Sequence, residues 1–197
     1  MNVLLLTSKD SLYRMHSIAA QAAKITRGIS DFEVDYEKEK ELLQKIIKLG
    51  HESILEHINL TYRVENLSRA CLQELARHRH ISLSVESTRY TLRKVMGTVA
   101  DVIYNASQAF MLKSFRELAR AEPELSDDEL KYYIPEFWPT NLVLTCNIRE
   151  LRHIVKLRTS PNALKEFQDL AHKLVDVIPE KFSYLVSDCL YQEVKNG

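Results

Sequence analysis

Apolar positions recur along this chain with two different periods, and the switches between them divide it into short strands and longer helices. Residues 3–7, β-branched and leucine-rich and bounded by Ser8, Lys9 and Asp10, have the pattern of a short buried strand. A helix is predicted over residues 11–27, stopped near Gly28. Leu42, Leu43, Ile46, Ile47 and Leu49 stripe a second helix over residues 36–49, with Gly50 where a C-terminal cap belongs. Over residues 58–64, Ile58, Leu60, Tyr62 and Val64 alternate with Asn59, Thr61 and Arg63, which predicts a half-buried strand. Helical spacing returns over residues 67–76 and delivers Arg77 at its end. Residues 99–119 read as one long helix closed before Pro123, and Ser126 with Glu129 has the form of a capping box opening a short helix that ends near Pro135. Residues 141–146 read as a strand and 148–157 as a helix. Ser160 and Pro161 then resemble the N-cap and first-turn proline of a last helix carrying Leu164, Phe167, Leu170, Ala171 and Leu174, interrupted by Pro179. The expected fold is a helix-rich α+β (mixed α/β) single domain over residues 1–197, with a small, mostly antiparallel sheet.

Composition narrows the function classes. At 197 residues one compact domain with its own core is the default, and 45% hydrophobic with 27% charged residues is ordinary for a globular protein. Lys and Arg number 27 against 27 Asp and Glu, which argues against a general polyanion-binding surface. The apolar run at residues 3–6 is too short for a secretory segment, and nothing approaches the roughly 18 consecutive apolar residues of a membrane span. The expectation is a cytoplasmic protein without a membrane partner. Cys71, Cys146 and Cys189 are far apart and in no CxxC pair, so they read as small buried residues and not as a disulfide framework or zinc site. With glycine only at positions 28, 50, 97 and 197, no glycine-rich phosphate loop can be drawn, and any dinucleotide must be held by side chains.

The charge excess is local. Residues 77–94 carry five Lys or Arg (Arg77, Arg79, Arg89, Arg93, Lys94) against the single acid Glu86. Guanidinium groups present flat, permanently charged donor forks suited to phosphate and carboxylate, and Ser82, Ser84, Ser87 and Thr88 add hydroxyl donors beside them. This composition points to a phosphorylated ligand. A second region, residues 146–162, places Ile148, Leu151, Val155 and Arg158 on one helical face, so Arg158 continues an apolar stripe. An inward guanidinium needs an anion, either a core-facing Asp or Glu or a ligand. A third element, GHESILEH at residues 50–57, pairs His51 and His57 with Glu52 and Glu56. On an α-helix the two histidines would point about 120° apart, so no metal site is expected, and solvated or turn histidines are the plain alternative.

The Arg77-His78-Arg79 triplet followed, after seven residues, by Ser87 resembles the signature of the flavin-dependent thymidylate synthases. Residues 50–57 resemble that family's His-Glu-(Ser/Thr)-x-x-Glu-His element, and Asn147, Arg149 and Arg158 match its Asn-x-Arg element with an arginine nine residues on. Three separated motifs in the right order cover the ligand-binding half of the family pattern. The resemblance implies an enzyme that converts dUMP to dTMP with FAD, taking its one-carbon unit from 5,10-methylenetetrahydrofolate and its reducing equivalents from NADPH. It also implies a homotetramer with active sites shared between subunits.

Carried over position by position, the resemblance makes Arg158 and His51 the catalytic candidates. Arg158 would meet the pyrimidine and favour ionisation at N3, and His51 would sit near the isoalloxazine ring. Ser53, Glu56, Arg77, His78, Arg79, Val85, Asn147, Arg149 and His153 would face the flavin. Glu74, Arg77, Glu86, Ser87, Thr88, Arg89, Lys131 and Arg158 would meet dUMP, with Ser87 and Arg89 at the phosphate and Lys131 assisting from another subunit. Ser87 is expected to hydrogen-bond phosphate, not to act as a nucleophile, since the sequence positions no base beside it. The chain departs from the family pattern at Val85 (often Glu), Thr88 (often Gly), Glu74 (Gln), Lys131 (Arg), His153 (Asn) and Asn162 (His). Lys131 keeps the charge but loses the bidentate fork.

Two other readings use the same residues. RHRH with Arg89, Arg93 and Lys94 could form the phosphate-contacting patch of a nucleic-acid-binding module, against which the neutral charge balance counts. The arginines could instead be salt-bridged in a helical structural protein.

Overall fold

A computed structural model describes residues 1–30, 33–97 and 105–192. Strand β1 (Asn2–Leu5) leads into helix α1 (Lys9–Ile25), α2 (Tyr36–Lys48) and a 3₁₀ segment (Glu52–His57). Then follow β2 (Asn59–Ser68), α3 (Arg69–Leu75), β3 (Ile81–Val85) and α4 (Thr88–Val95). After α5 (Ala106–Ala121), α6 (Asp127–Leu130) and a 3₁₀ turn (Lys131–Tyr133), β4 (Pro139–Asn147) runs directly into α7 (Ile148–Arg158). Helices α8 (Lys165–Asp176) and α9 (Glu180–Ser183) and a 3₁₀ turn (Ser187–Cys189) complete the described chain. The four strands form one antiparallel sheet in the order β1-β2-β4-β3. This is a helix-rich α+β fold.

Local chemistry explains most boundaries. Asp35 caps α2 by accepting from the amides of Glu37 and Lys38. Its end closes as a Schellman turn: Gly50 at φ 72° lets the His51 amide reach Ile46 O and the Gly50 amide reach Ile47 O. Helix α1 starts earlier than its apolar pattern indicates, because the Ser8 side chain accepts from Ser11 N and sets the N-cap. The Ser126–Glu129 capping box forms as expected.

Three points of the sequence reading need correction. Strand β2 does not stop at Val64. Asn66 adopts φ 56° in a bulge between Val64 and Leu67, so the buried face jumps from Val64 to Leu67 and the alternation hides the strand's continuation. The bulge is pinned by Asn66 N donating to the Asn141 side chain at 3.0 Å. Strand β3 passed unrecognised because Ile81–Val85 mixes two serines with partly exposed apolar residues at a sheet edge. Ser160–Pro161 does not open the last helix: Ala163 N bonds to Ser160 O in a turn, and α8 begins at Lys165. Residues 99–104 of the expected long helix lie outside the described residues, and the remainder forms α5, capped by the Asn105 side chain accepting from Gln108 N.

Two apolar clusters organise the interior. The main one joins the inner sheet face (Leu60, Tyr62, Val64, Leu142, Leu144, Cys146) to α1, α2, α3, α7 and α8. The second gathers Leu92, Leu112, Phe115, Ala119, Leu130 and Trp138 from α4, α5, α6 and the residue before β4, with Phe115 and Trp138 edge to face at 5.3 Å. Each cluster carries a different set of the cations noted in the sequence.

Tyr62 is fully buried in β2, and its hydroxyl has no hydrogen-bond partner among the described residues. An unpaired buried hydroxyl is destabilising, so Tyr62→Phe is expected to stabilise the fold by about 1 kcal/mol. Denaturant unfolding measures this directly; a loss of stability would show that the hydroxyl is paired, for example through a buried water.

Candidate active site

The Arg77-His78-Arg79 triplet lies on the turn that links α3 to edge strand β3. Ser68 fixes the start of α3, accepting from Cys71 N while its own N–H and hydroxyl donate to Glu166 on α8. The turn that follows sends alternate side chains in opposite directions: His78 is buried, whereas Arg77 and Arg79 are exposed. Opposite the turn stands α7, capped by Asn147, whose side chain accepts from Glu150 N at 2.8 Å.

His78 joins the two elements. Its Nδ1 lies 3.1 Å from Glu150 Oε1, and its Nε2 lies 3.2 Å from Arg158 Nε. Arginine can only donate, so Nε2 accepts and the proton sits on Nδ1, donated to Glu150. Burial is the main force lowering the His78 pKa; the Glu150 hydrogen bond opposes it and the Arg158 charge adds to it. The imidazole is therefore neutral. Arg158 also donates to Glu74 Oε2 at 3.0 Å, and its guanidinium lies 4.6 Å from the centre of the Phe167 ring. The inward arginine foreseen in the sequence thus has a carboxylate partner on α3 and an aromatic support on α8. With 19% of its side chain exposed, it still borders open space.

Two neighbouring cavities flank this assembly. One, of about 570 Å³, is lined by Glu74, Arg77, His78, Arg79, Arg158 and Asn162; the other, of about 520 Å³, by Glu52, Glu56, Asn147, Arg149, Arg152 and Lys156. His80, Glu150 and His153 border both, so the cavities share a wall. Arg79 and Lys156 have no ion-pair partner among the described residues, which leaves a permanent cation at each cavity for a ligand anion. Arg149 is paired with Glu56 of the 3₁₀ segment.

The remaining sequence candidates line neither cavity. His51 and Ser53 are exposed at the 3₁₀ segment. That segment is not α-helical, so the α-helical angle expected between His51 and His57 does not apply; among the described residues no cluster of three metal-ligating side chains occurs. Val85, Glu86, Ser87, Thr88 and Arg89 follow β3 into α4. Glu86 is tied back to β4, accepting from the Asn141 side-chain amide at 2.7 Å. Ser87 is the exposed N-cap of α4. Arg89 and Lys131 stand together within one chain, joined through Asp128 at 2.8 and 2.9 Å. Arg93 is unavailable for a nucleic-acid patch, because it donates to the carbonyls of Ala119 and Leu125 and pairs with Asp127.

Several site-bordering residues escaped the sequence reading. Arg152 is 4% exposed; it donates to Glu52 at 2.9 Å, to Leu185 O at 2.8 Å and to both oxygens of Asp188. It clamps the 3₁₀ segment and the C-terminal turn onto α7. Its signal was a charge beside buried Leu151 on α7, visible only once the opposing acids are in place. Phe167 was visible only as part of an apolar stripe and His80 only as part of the RHRH run, while Glu150 carried no pattern of its own. None of the cysteines is poised as a nucleophile: burial pushes the Cys146 thiol up to about 12 and Cys189 to about 11, and raises Cys71 as well.

Fold and cavities together define an α+β protein with a paired, arginine-bordered site large enough for aromatic, anionic ligands. A family model described as thymidylate synthase complementing protein matches residues 9–182. The chain belongs to that family. A flavin-dependent thymidylate synthase of Campylobacter jejuni is 38% identical, with 81% of this chain and 84% of the relative covered. Its Helicobacter pylori counterpart is 37% identical, with 78% and 83% covered. A crystal structure of thymidylate synthase X from Helicobacter pylori with FAD and dUMP matches 98% of this chain and 100% of that one, at 33% identity and a TM-score of 0.82.

Arg152→Met leaves Glu52 and Asp188 without their shared partner and is expected to lower stability by about 2–4 kcal/mol, moderated because both acids can rehydrate. Chemical denaturation checks it. His78 and the fully buried His16 both have pKa values lowered mainly by burial. The unfolded chain therefore binds protons at these residues first, so their contribution is full above about pH 6.5 and is lost as the pH falls below it toward the folded values. Melting temperatures measured down from neutrality should show this decline, and it should shrink in His16→Gln.

Proposed function

We infer that this protein is a flavin-dependent thymidylate synthase that converts dUMP to dTMP, using FAD, NADPH and 5,10-methylenetetrahydrofolate. The observation that carries the reading is the pair of arginine-bordered cavities sharing one wall, in a chain whose fold matches a relative determined with FAD and dUMP. The donor set suits the two ligands. Arg149, Lys156 and Arg79 can hold the anionic part of a dinucleotide without a glycine-rich loop, and the neutral His78 and the Arg158 guanidinium offer a flat polar edge to a pyrimidine. When bound, reduced FAD supplies the hydride that completes the methyl group at C5 of the nucleotide.

The protein's own part is placement and charge. Arg158, kept in orientation by Glu74, His78 and Phe167, is the group that meets the pyrimidine and stabilises negative charge developing on its imide. Glu56, Asn147, Arg149 and His153 face the flavin, with His51, Ser53 and Val85 completing its surroundings. Arg77 and Arg79 lie between flavin and nucleotide. Ser87, Thr88, Arg89 and Lys131 hold the phosphate, with Glu86 steadying the segment through Asn141. These phosphate-side residues stand on the second apolar cluster and do not line the cavities that hold Arg79 and Arg158. A complete site then needs one chain's Arg158 beside a second chain's Arg89, which is the reason for proposing a homotetramer with shared sites, working in the cytoplasm.

Arg158→Ala should abolish turnover of dUMP to dTMP while leaving flavin binding within about twofold, since its contact is made in the reacting complex. Arg89→Gln should weaken dUMP and lower activity on its own. Co-expressed in equal amounts, the two variants should restore about a quarter of wild-type activity, because a quarter of the shared sites regain both arginines. Unchanged turnover in Arg158→Ala would sink its assigned role, and absence of complementation would sink the shared site.

A further inference from the structure

The first turn of α6 carries three consecutive acids, and two of them have structural work. Glu129 completes the capping box with Ser126, and Asp127, 17% exposed, pairs with Arg93, which binds α4 to the end of α5. Asp128 has no such task. It turns its two oxygens to two different cations, Oδ2 to Arg89 Nε at 2.8 Å and Oδ1 to Lys131 Nζ at 2.9 Å. Two oxygens of a phosphate would be held in the same way by the same pair.

All three side chains are more than a third exposed, at 57% for Arg89, 38% for Lys131 and 37% for Asp128, so no surrounding packing locks the contact. Exposed pairs of this kind are weak and exchange readily with other ions. The Lys131 hydrogen bond, followed by the Arg89 charge, holds the Asp128 carboxyl below its usual range, so the anion is present at any working pH.

We propose that Asp128 is a built-in counter-ion that competes with the nucleotide phosphate for Arg89 and Lys131, and so sets how tightly the site binds a phosphorylated nucleoside. The inference rests on the phosphate-binding role given to Arg89 and Lys131 above. A carboxylate carries one charge and a phosphate close to two, so dUMP displaces Asp128 or shares its cations, while singly charged metabolites compete with it poorly. Holding the two cations in place is the opposing effect; it is small because the pairs are exposed, and repulsion between Asp128 and the incoming phosphate outweighs it.

The test is titration of the full-length, FAD-loaded protein with dUMP and with deoxyuridine, comparing wild type, Asp128→Asn and Asp128→Ser at low and high salt. Removing the carboxylate should lower the dUMP dissociation constant about three- to tenfold at low salt, with a smaller effect at high salt, and leave deoxyuridine unchanged. Unchanged or weaker dUMP binding in both variants, or a parallel change for deoxyuridine, would overturn the counter-ion role. Arg89→Gln separates this from the reading beneath it. If Arg89→Gln weakens dUMP but the Asp128 variants do not tighten it, the counter-ion proposal alone falls; if Arg89→Gln has no effect on dUMP, the phosphate assignment falls and takes the proposal with it.

Discussion

A neutral imidazole held between a carboxylate and a guanidinium fixes the geometry on which the site depends. His78 reaches from the α3–β3 turn into α7, donating to Glu150 and accepting from Arg158. Because Arg158 can only donate, the tautomer is determined, and because the ring is buried, its charge is too. The exposed arginines on either side of His78 inherit their positions from this anchor. A protonated ring could not accept from Arg158 and would set two positive charges against each other. The contact with Arg158 therefore holds only while the ring is neutral, whereas the contact with Glu150 survives in either state.

The cations around the cavities and on the α4–α6 segment are largely satisfied by the protein's own acids. Arg158 and Arg77 share Glu74, Arg149 takes Glu56, Arg152 takes Glu52 and Asp188, and Arg89 and Lys131 share Asp128. This accounts for a chain that is neutral overall yet gathers arginine at its ligand-directed surfaces. The burial of each pair decides its meaning. The Arg152 cluster, with its guanidinium almost fully enclosed, is a structural clamp; the Arg89 and Arg149 pairs, open to water, are contacts that a ligand can exchange. Anion binding in such a site is substitution, not the filling of a bare positive pocket.

The division of the interior into two apolar clusters has a functional counterpart. The sheet-centred cluster supports His78, Arg158 and Phe167, whereas the α4–α5–α6 cluster supports Arg89, Asp128 and Lys131. Ser68 with Glu166, and Asn141 with Glu86 and Asn66, tie the strand ends that lie between them. The two groups of ligand-directed side chains thus stand on separate supports within one chain.

Much of this was written in the order of residues. Periodicity located α2, α7 and the inner face of β2, because a helix or strand buried on one side must repeat its apolar residues at a fixed spacing. The RHR-x₇-S spacing, the Asn-x-Arg element and the inward place of Arg158 marked the chemistry, since guanidinium groups are rarely turned toward a core without an anion. Partners lay beyond reach of any local pattern. That Arg158 meets Glu74, that Arg152 gathers acids 100 and 36 residues away, and that Asp128 bridges Arg89 and Lys131 are facts of tertiary packing. The β2 bulge and the edge strand β3 were hidden for a related reason: one extra residue shifts the alternation, and an edge strand need bury neither face. Sequence alone determined which residue types could bind an anionic, aromatic ligand and roughly which helices bear them. Only the folded chain decided which charges neutralise one another, because that depends on distances between segments far apart in sequence, and electrostatic energy falls with distance and with exposure to water.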